Sequence, residues 1–338
     1  MTQPSRFDEM FGGSGPHLVL PRVTGEGPLP PVPLLPPETA SPHVHRWVRH
    51  AELPDGSAWY SVGVVPQGHL VRFYGMADFV LDPDGRCLSC RPEPRLPRQT
   101  LCHLLLDQVL PLALSRRGRV VVHAGAVLIG GEAVAFLGET GRGKSTLVSS
   151  FGLDGAPLLS DDSIIVSEDG GALSVVATYP SLRLWRDSVE TLFGADTALP
   201  QVAHYTGKRR LSPADTGMTW HEGPVRLRGA YLLAPPGQTA DADGITIAPV
   251  SLRDTAMELM KGTFHLLVDD RDLLRREFER IVRWSRMVPL FRLSYPRHYS
   301  LLQDVRTAIL AHVGPPQTSR TPGTEPDSAA APVESECA

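Results

Sequence analysis

Gly138-Glu139-Thr140-Gly141-Arg142-Gly143-Lys144-Ser145 is the stretch whose reading decides the fold. Glycines at Gly138 and Gly143 bracket four residues and Lys-Ser follows, which is the P-loop pattern. Ala133-Val134-Ala135-Phe136-Leu137, just upstream, is a short apolar run of the kind that makes a buried strand. Thr146 to Phe151, just downstream, opens a helix. A strand, a glycine loop and a helix start, in that order, aim backbone N–H groups at a phosphate chain. In such a loop residues 138–146 cradle a nucleotide, Lys144 reaches the β- and γ-phosphates, and the Ser145 hydroxyl ligates Mg²⁺. The chain's basic residues sharpen the reading. Of its 33 lysines and arginines only Lys144, Lys208 and Lys261 are lysine. A compact ammonium fits between phosphate oxygens where a planar guanidinium does not.

Working upstream, Val120 to Ile129 and Glu132 to Leu137 read as a hairpin around Gly130-Gly131, a favoured two-residue turn. If Ile129 faces Glu132, the register carries His123 opposite Gly138, so an imidazole stands beside the phosphates. Working downstream, Pro157-Leu158-Leu159-Ser160-Asp161-Asp162 is a short apolar strand ending in acid. At the carboxyl end of a strand in a parallel sheet such a pair lies next to the phosphate loop. Two carboxylates there can divide the work, one holding Mg²⁺ and one taking a proton from an attacking hydroxyl. A plain Asp-Asp turn is the alternative, since Ser163-Ile164-Ile165-Val166 continues as strand.

Val122-His123-Ala124-Gly125-Ala126, the glycine loop, and Leu159-Ser160-Asp161-Asp162 together resemble the core of the HPr kinase/phosphorylase family, over roughly residues 118–190. The nucleotide fold of that family is also similar to phosphoenolpyruvate carboxykinase. The resemblance implies an α/β P-loop catalytic domain, with ATP and Mg²⁺ as cofactors. It also implies His123 at the transferred phosphate, Asp161 as general base, and Asp162 with Ser145 in the metal site. Tyr179-Pro180-Ser181-Leu182-Arg183-Leu184-Trp185 stands where the family carries Glu-x-Arg-Gly. The chain more closely resembles the HPr-kinase-like proteins of ribosomal-peptide clusters, whose lasso-peptide type phosphorylates a serine of the precursor. The implied activity is transfer of the γ-phosphate to a serine or threonine hydroxyl of a peptide or protein. A small-metabolite kinase and a non-enzymatic ATP-binding regulator are the competing readings.

Two further basic residues are candidates. Arg183 either contacts phosphate or anchors a strand. Lys208, in Thr206-Gly207-Lys208-Arg209-Arg210, either closes over the γ-phosphate in a flexible loop or is a solvated turn.

The rest of the chain sets the frame. Residues 1–42 and 314–338, rich in proline and glycine, read as disordered arms, with a partner-binding polyproline stretch as the alternative for the first. Residues 43–117 read as a small β-rich module. Its strands are Trp59–Val65, His69–Tyr74, Asp78–Leu81 and Arg86–Cys90, and a linking helix covers Thr100–Ser115 with a kink at Pro111. The catalytic domain takes residues 118–313. There Val225–Leu233, Ile245–Val250 and Pro289–Leu293 read as late strands, and Ser251 with Asp254 as a capping box. A helix after Asp270 is expected to turn Leu273, Leu274, Phe278, Ile281 and Val282 to the core. Cys87 and Cys90 form a CxxC without a second pair, so two structural thiols are expected rather than zinc.

A length of 338 residues allows two domains. A net charge of −4 with 21% charged residues argues against a nucleic-acid partner. No run of about 18 apolar residues suggests a membrane span. With no signal-peptide pattern and four cysteines in no framework spacing, the expected compartment is the cytoplasm. The oligomeric state is left open, a homo-oligomer included.

Overall fold

The computed structural model describes residues 17–18 and 30–314, apart from 54, 198, 213–215, 238–243 and 267–269. The tail expected from 314 lies outside the described residues after Gly314, as do most of residues 1–29. Where the first arm is described it is built into the protein. His17–Leu18 pairs with Val32–Pro33, Leu34 bridges Cys90, and Leu18 and Val32 are fully buried. This corrects the expectation of an arm reaching to residue 42. Proline suits an edge segment that donates little, and the leucine and valine between the prolines find a core.

Five antiparallel strands follow as a meander: β1 Arg46–Glu52, β2 Ala58–Val65, β3 Gly68–Phe73, β4 Ala77–Leu81 and β5 Leu88–Pro92. The last begins two residues later than expected, because Asp82 Oδ1 caps the turn by accepting from the N–H groups of Arg86 and Cys87. The helical run behind this sheet comprises α1 Arg98–His103, a π-helical segment Leu104–Val109, and α2 Leu110–Arg116. Pro111 cannot donate to the carbonyl of Asp107, and there the ladder widens, with Leu110 N–H reaching Leu105 O. What reads as a kinked helix is a π-bulge. Leu101, Leu104, Leu105 and Val109 are all buried against Val62, Val71, Phe73 and Phe79 of the sheet. Val121, Ile165, Val176 and Tyr179 from the second half of the chain join the same cluster.

The second half is a curled, mixed sheet. Its strands are β6 Val120–Val122, β7 Ala124–Ile129, β8 Glu132–Leu137, β9 Leu158–Ser160, β10 Ile164–Asp169, β11 Ala172–Ala177, β14 Val225–Leu233, β15 Thr246–Pro249 and β16 Leu290–Ser294. They run in the order β9-β7-β8-β14-β11-β10-β6, with β16 beside β14 and β15 beside β16. β7 and β8 pair in the expected register, Glu132 opposite Ile129 and Leu137 opposite Ala124. The single strand expected over Val120–Ile129 is, however, two strands. β6 pairs with β10 at one end of the sheet and β7 with β8 and β9 at the other. The sheet therefore curls until both its ends are carried by one run of chain, which breaks at His123. Small residues make the inside of the curl tight: Ala124, Ala126, Ala133, Ala135 and Ala230 are all buried there.

β9 also differs from the expectation of a parallel sheet, for its one parallel link among the described residues is an isolated bridge from Leu158 to Trp220. It is antiparallel to β7, as β8 is. Two reversals leave β9 and β8 pointing the same way, so their carboxyl ends emerge on one side. Outside the curl, α3 Lys144–Leu153 and α7 Leu302–Val313 cover Val134, Phe136 and Tyr231. β12 Leu182–Leu184 pairs with β13 Arg209–Leu211, and α4 Arg186–Phe193 separates them. Ser251 accepts from Asp254 N–H at the start of α5 Leu252–Gly262, as the capping box predicts. On α6 Arg271–Trp284 the expected core face is shifted. Ile281 and Trp284 are buried with Glu277, which pairs with His265, whereas Phe278 is 47% exposed. Tertiary partners, not apolar spacing, chose that face. No helix among the described residues is long and apolar enough to cross a membrane.

Because Leu105 shares its cluster with both halves of the chain, Leu105→Ala should lower stability by about 2–5 kcal/mol. Urea unfolding of this variant should stay a single transition, read identically by tryptophan fluorescence and circular dichroism.

Candidate functional site

The glycine loop between β8 and α3 has the backbone its glycines permit. Gly138 and Gly143 have φ of 136° and 91°, and a Cβ at Gly138 would stand 3.3 Å from Leu233 O. Gly143 caps α3, so the helix N-terminus opens directly onto the loop. Lys144 is buried, and its Nζ donates to the carbonyls of Gly138 at 2.6 Å and Glu139 at 3.1 Å. Burial, with the nearby charges of Lys208, Arg183 and Arg142, lowers its pKa to about 8 against the opposing pull of Asp161. Thr140, Gly141, Gly143, Ser145 and Thr146 line the same cavity, whereas Glu139 is turned out and pairs with Arg142.

The break in the strand explains the position of His123. Its N–H donates to Gly262 O at 2.7 Å, outside the ladder, and the next residue's N–H donates to Asp162 O at 3.1 Å. His123 Nδ1 stands 3.1 Å from Asp162 Oδ1. Burial, helped by the Lys144 and Arg183 charges, lowers the imidazole pKa to about 3. The ring is thus neutral at pH 7, and its contact with Asp162 is between a neutral group and a carboxylate. Gly125 permits the close approach on the other side. A Cβ there would meet Val148 Cγ2 at 2.7 Å and lie 3.5 Å from the carbonyls of Ser160 and Asp161.

Asp161 and Asp162 are both buried at the end of β9, and their surroundings differ. Asp161 Oδ2 accepts from Arg183 N–H at 2.8 Å, while its Oδ1 is buried without a hydrogen-bond partner among the described residues. Asp162 Oδ1 takes both the His123 contact and an ion pair with Arg183 Nη2. Arg183 reaches the other way as well, its Nη1 lying 3.0 Å from Asp107 Oδ2. Arg183 thus bridges two carboxylates while lining the cavity.

Asp107 is the residue sequence reasoning missed. It sits in the π-helical segment with no exposure, and accepts from His103, Tyr179 and Arg210 in addition to Arg183. Burial alone would raise its pKa, but Arg183, Arg210 and His103 outweigh that and hold the carboxyl well below the ordinary range. A lone acid in Leu104-Leu105-Leu106-Asp107-Gln108-Val109-Leu110 was the available signal. Arg210 had none, since Arg209-Arg210 reads as any basic turn.

Lys208 stands 5.3 Å over the Trp185 ring and is partly buried. Burial and Arg183 lower its pKa while Asp161 raises it. Its loop is tied rather than loose, with Val202 N–H donating to Lys208 O and Gln201 Nε2 to Thr206 O. Asp107, His123, Lys144, Asp161, Asp162, Arg183 and Lys208 face one cavity of about 1130 Å³, walled by the glycine loop, β12, the π-helical segment and the edge of the N-terminal sheet. Arg297 completes the wall near Gly143, its guanidinium packed 3.8 Å over Tyr295. Cys87 and Cys90 are free thiols, and no cluster of three or more metal-ligating side chains occurs among the described residues.

Removing one partner from a buried ion-pair network strands the others, so Asp107→Ala should cost about 3–5 kcal/mol in urea unfolding. The Asp107 pKa is depressed on folding. Its contribution is therefore present above the unfolded value of about 3.9 and is lost as pH falls below it, a dependence the variant should lack.

No protein-family model matches the chain, and none of the curated proteins does. Among solved structures, the HPr(Ser) kinase/phosphatase from Coxiella burnetii is similar over 57% of this chain and 95% of its own, at 14% identity and a TM-score of 0.31. That is a distant structural relationship.

Proposed function

We propose that this protein is an ATP-dependent kinase that transfers the γ-phosphate to a serine or threonine hydroxyl of a peptide or protein. The observation that carries the reading is one cavity holding both a glycine loop with a buried lysine and a buried carboxylate whose Oδ1 has no partner among the described residues. A nucleotide sensor needs the first and has no use for the second. At about 1130 Å³ the cavity also exceeds the roughly 300–1,000 Å³ of a single-ligand pocket, leaving room for an acceptor beside the nucleotide. That room, reaching to the N-terminal sheet, favours a polypeptide over a small metabolite. A ribosomally made precursor peptide is one such acceptor.

Each group has a task. The loop N–H groups and the α3 N-terminus bind the phosphates, and Lys144 supplies the charge between them. Ser145 and Asp162 would hold Mg²⁺, since both line the cavity beside the glycine loop and a hydroxyl with a carboxylate is the oxygen donor set that ion takes. Held there, the ion would supply charge neutralisation to the phosphates. Asp161 Oδ1 accepts the proton as the acceptor oxygen bonds to the γ-phosphorus and the bond from that phosphorus to the bridging oxygen breaks, leaving ADP. Neutral His123, with a pKa near 3, is too weak a base to compete and instead orients Asp162. Lys208, placed near Asp161 and Arg183, offers a second cation to the transferred group.

Lys144→Ala should abolish Mg–ATP binding in calorimetry, and Lys144→Arg should fail as well. Binding needs the ammonium form. With a free-protein pKa of about 8, affinity should fall as pH rises past 8, approaching tenfold per unit well above it. Unchanged affinity in Lys144→Ala would sink the reading.

Asp161→Asn should keep Mg–ATP affinity and lose roughly 10²- to 10⁴-fold in phosphoryl transfer, the usual worth of a positioned base. The assay follows labelled γ-phosphate into serine peptides, with mass spectrometry locating the site. A variant that needs more Mg²⁺ but keeps its maximal rate would make Asp161 a metal ligand and leave the base elsewhere.

A further inference from the structure

The cavity has an end that the phosphate chemistry does not use. The inner face of the N-terminal sheet is covered by the helical run over Val62, Val71 and Phe79, but at one corner Arg49, Leu53 and Tyr60 line the cavity instead. Arg49 Nη1 donates to His265 O at 2.9 Å, and the guanidinium lies 5.4 Å over the Tyr60 ring. No carboxylate pairs with Arg49 among the described residues, whereas its neighbours Lys261 and His265 have Glu258 and Glu277 as partners. Among the described residues, the charge of Arg49 is the one without a carboxylate at that end.

The same corner is tied to the reacting groups. Phe264, adjacent to His265, donates its N–H to Val121 O at 2.9 Å and turns its ring edge-on to His123, centroids 6.3 Å apart. Arg49 bonds to the carbonyl of the very next residue. From the His123 side of the cavity to Arg49 is therefore the reach of about two to four residues of extended chain, at roughly 3.4 Å each.

A guanidinium with unused donors, stacked on a tyrosine and flanked by Leu53 and Phe264, has the chemistry to bind a carboxylate carried beside an apolar group. We propose that this corner is the acceptor subsite and that it selects an acidic peptide. The peptide's carboxylate pairs with Arg49 and an apolar side chain packs on Tyr60, with its hydroxyl two to four residues away at Asp161. The proposal rests on the kinase reading and names its substrate class.

The test separates the two. The full chain, loaded with Mg²⁺ and the β,γ-imido analogue of ATP, is used to capture peptides from a serine-centred library randomised at four positions on either side. The native protein should enrich Asp or Glu at least tenfold two to four residues from the serine. Arg49→Ala should lose that enrichment, and Arg49→Glu should replace it with Lys or Arg at the same positions. Calorimetric affinity for Mg–ATP should stay within twofold in both variants. Should Arg49→Glu lose ATP binding through misfolding, Arg49→Ala decides. No acidic enrichment by the native protein, or the same enrichment by an ATP-binding Arg49 variant, overturns the subsite. Phosphate transfer from ATP to the captured pool is read separately. Acidic peptides that are captured through Arg49 but never phosphorylated would refute the kinase and leave the peptide subsite standing.

Discussion

Arg183 between Asp107 and Asp162 is the interaction on which the rest of the structure depends. A buried pair of like charges cannot persist unless a cation stands between them, and a planar guanidinium with donors on two edges can serve both at once. Such a network adds little net stability, because desolvation offsets most of the attraction. Its effect is specificity. Asp162 has one place to be when Arg183 is held from the far side by Asp107, and Asp107 is itself fixed by Arg210, Tyr179 and His103. The carboxylate at the end of β9 is thus oriented from the π-helical segment of the N-terminal half. That half is a wall of the cavity as well as a neighbour of it.

The second constraint is the curl of the sheet. Once β6 lies at one end of the sheet and β7 next to the other, the residue between them belongs to neither ladder. His123 is that residue, and Gly262 satisfies its backbone N–H from outside. The same break brings Ala124 against Asp162 and needs a glycine at 125 so that α3 and the Asp161 backbone can close in. A glycine loop at a helix N-terminus, an imidazole and two buried acids therefore meet because a strand changes partners. The alanines lining the curl are the steric condition for it.

Much of this was legible locally. The register of the hairpin around Gly130-Gly131, the Ser251 cap and the span of β14 follow from backbone preferences that act over a few residues, and each takes the expected conformation. The face of α6 was not legible, because Glu277 is drawn in by His265 from a distant segment and Phe278 is turned out. Nor was the order near residue 32, where a proline-rich stretch reads as an arm until its valine and leucine find a core.

By itself, then, the sequence determined the strand–loop–helix, the presence of an acid pair beyond it and the candidates His123, Arg183 and Lys208, since these depend on neighbours in the chain. Only the tertiary structure decided what the charges do. It divided Asp161 from Asp162 by giving one an unpartnered oxygen and the other two contacts, and it set Arg183 between two carboxylates. It also recruited Asp107 from more than fifty residues upstream (Asp161 and Asp162 lie on the far side of the glycine loop). The physical reason is that local conformation is set by sterics and hydrogen bonds a few residues long. The behaviour of a buried charge is set by whichever charges the fold brings within about 4 Å, and sequence distance says nothing about that.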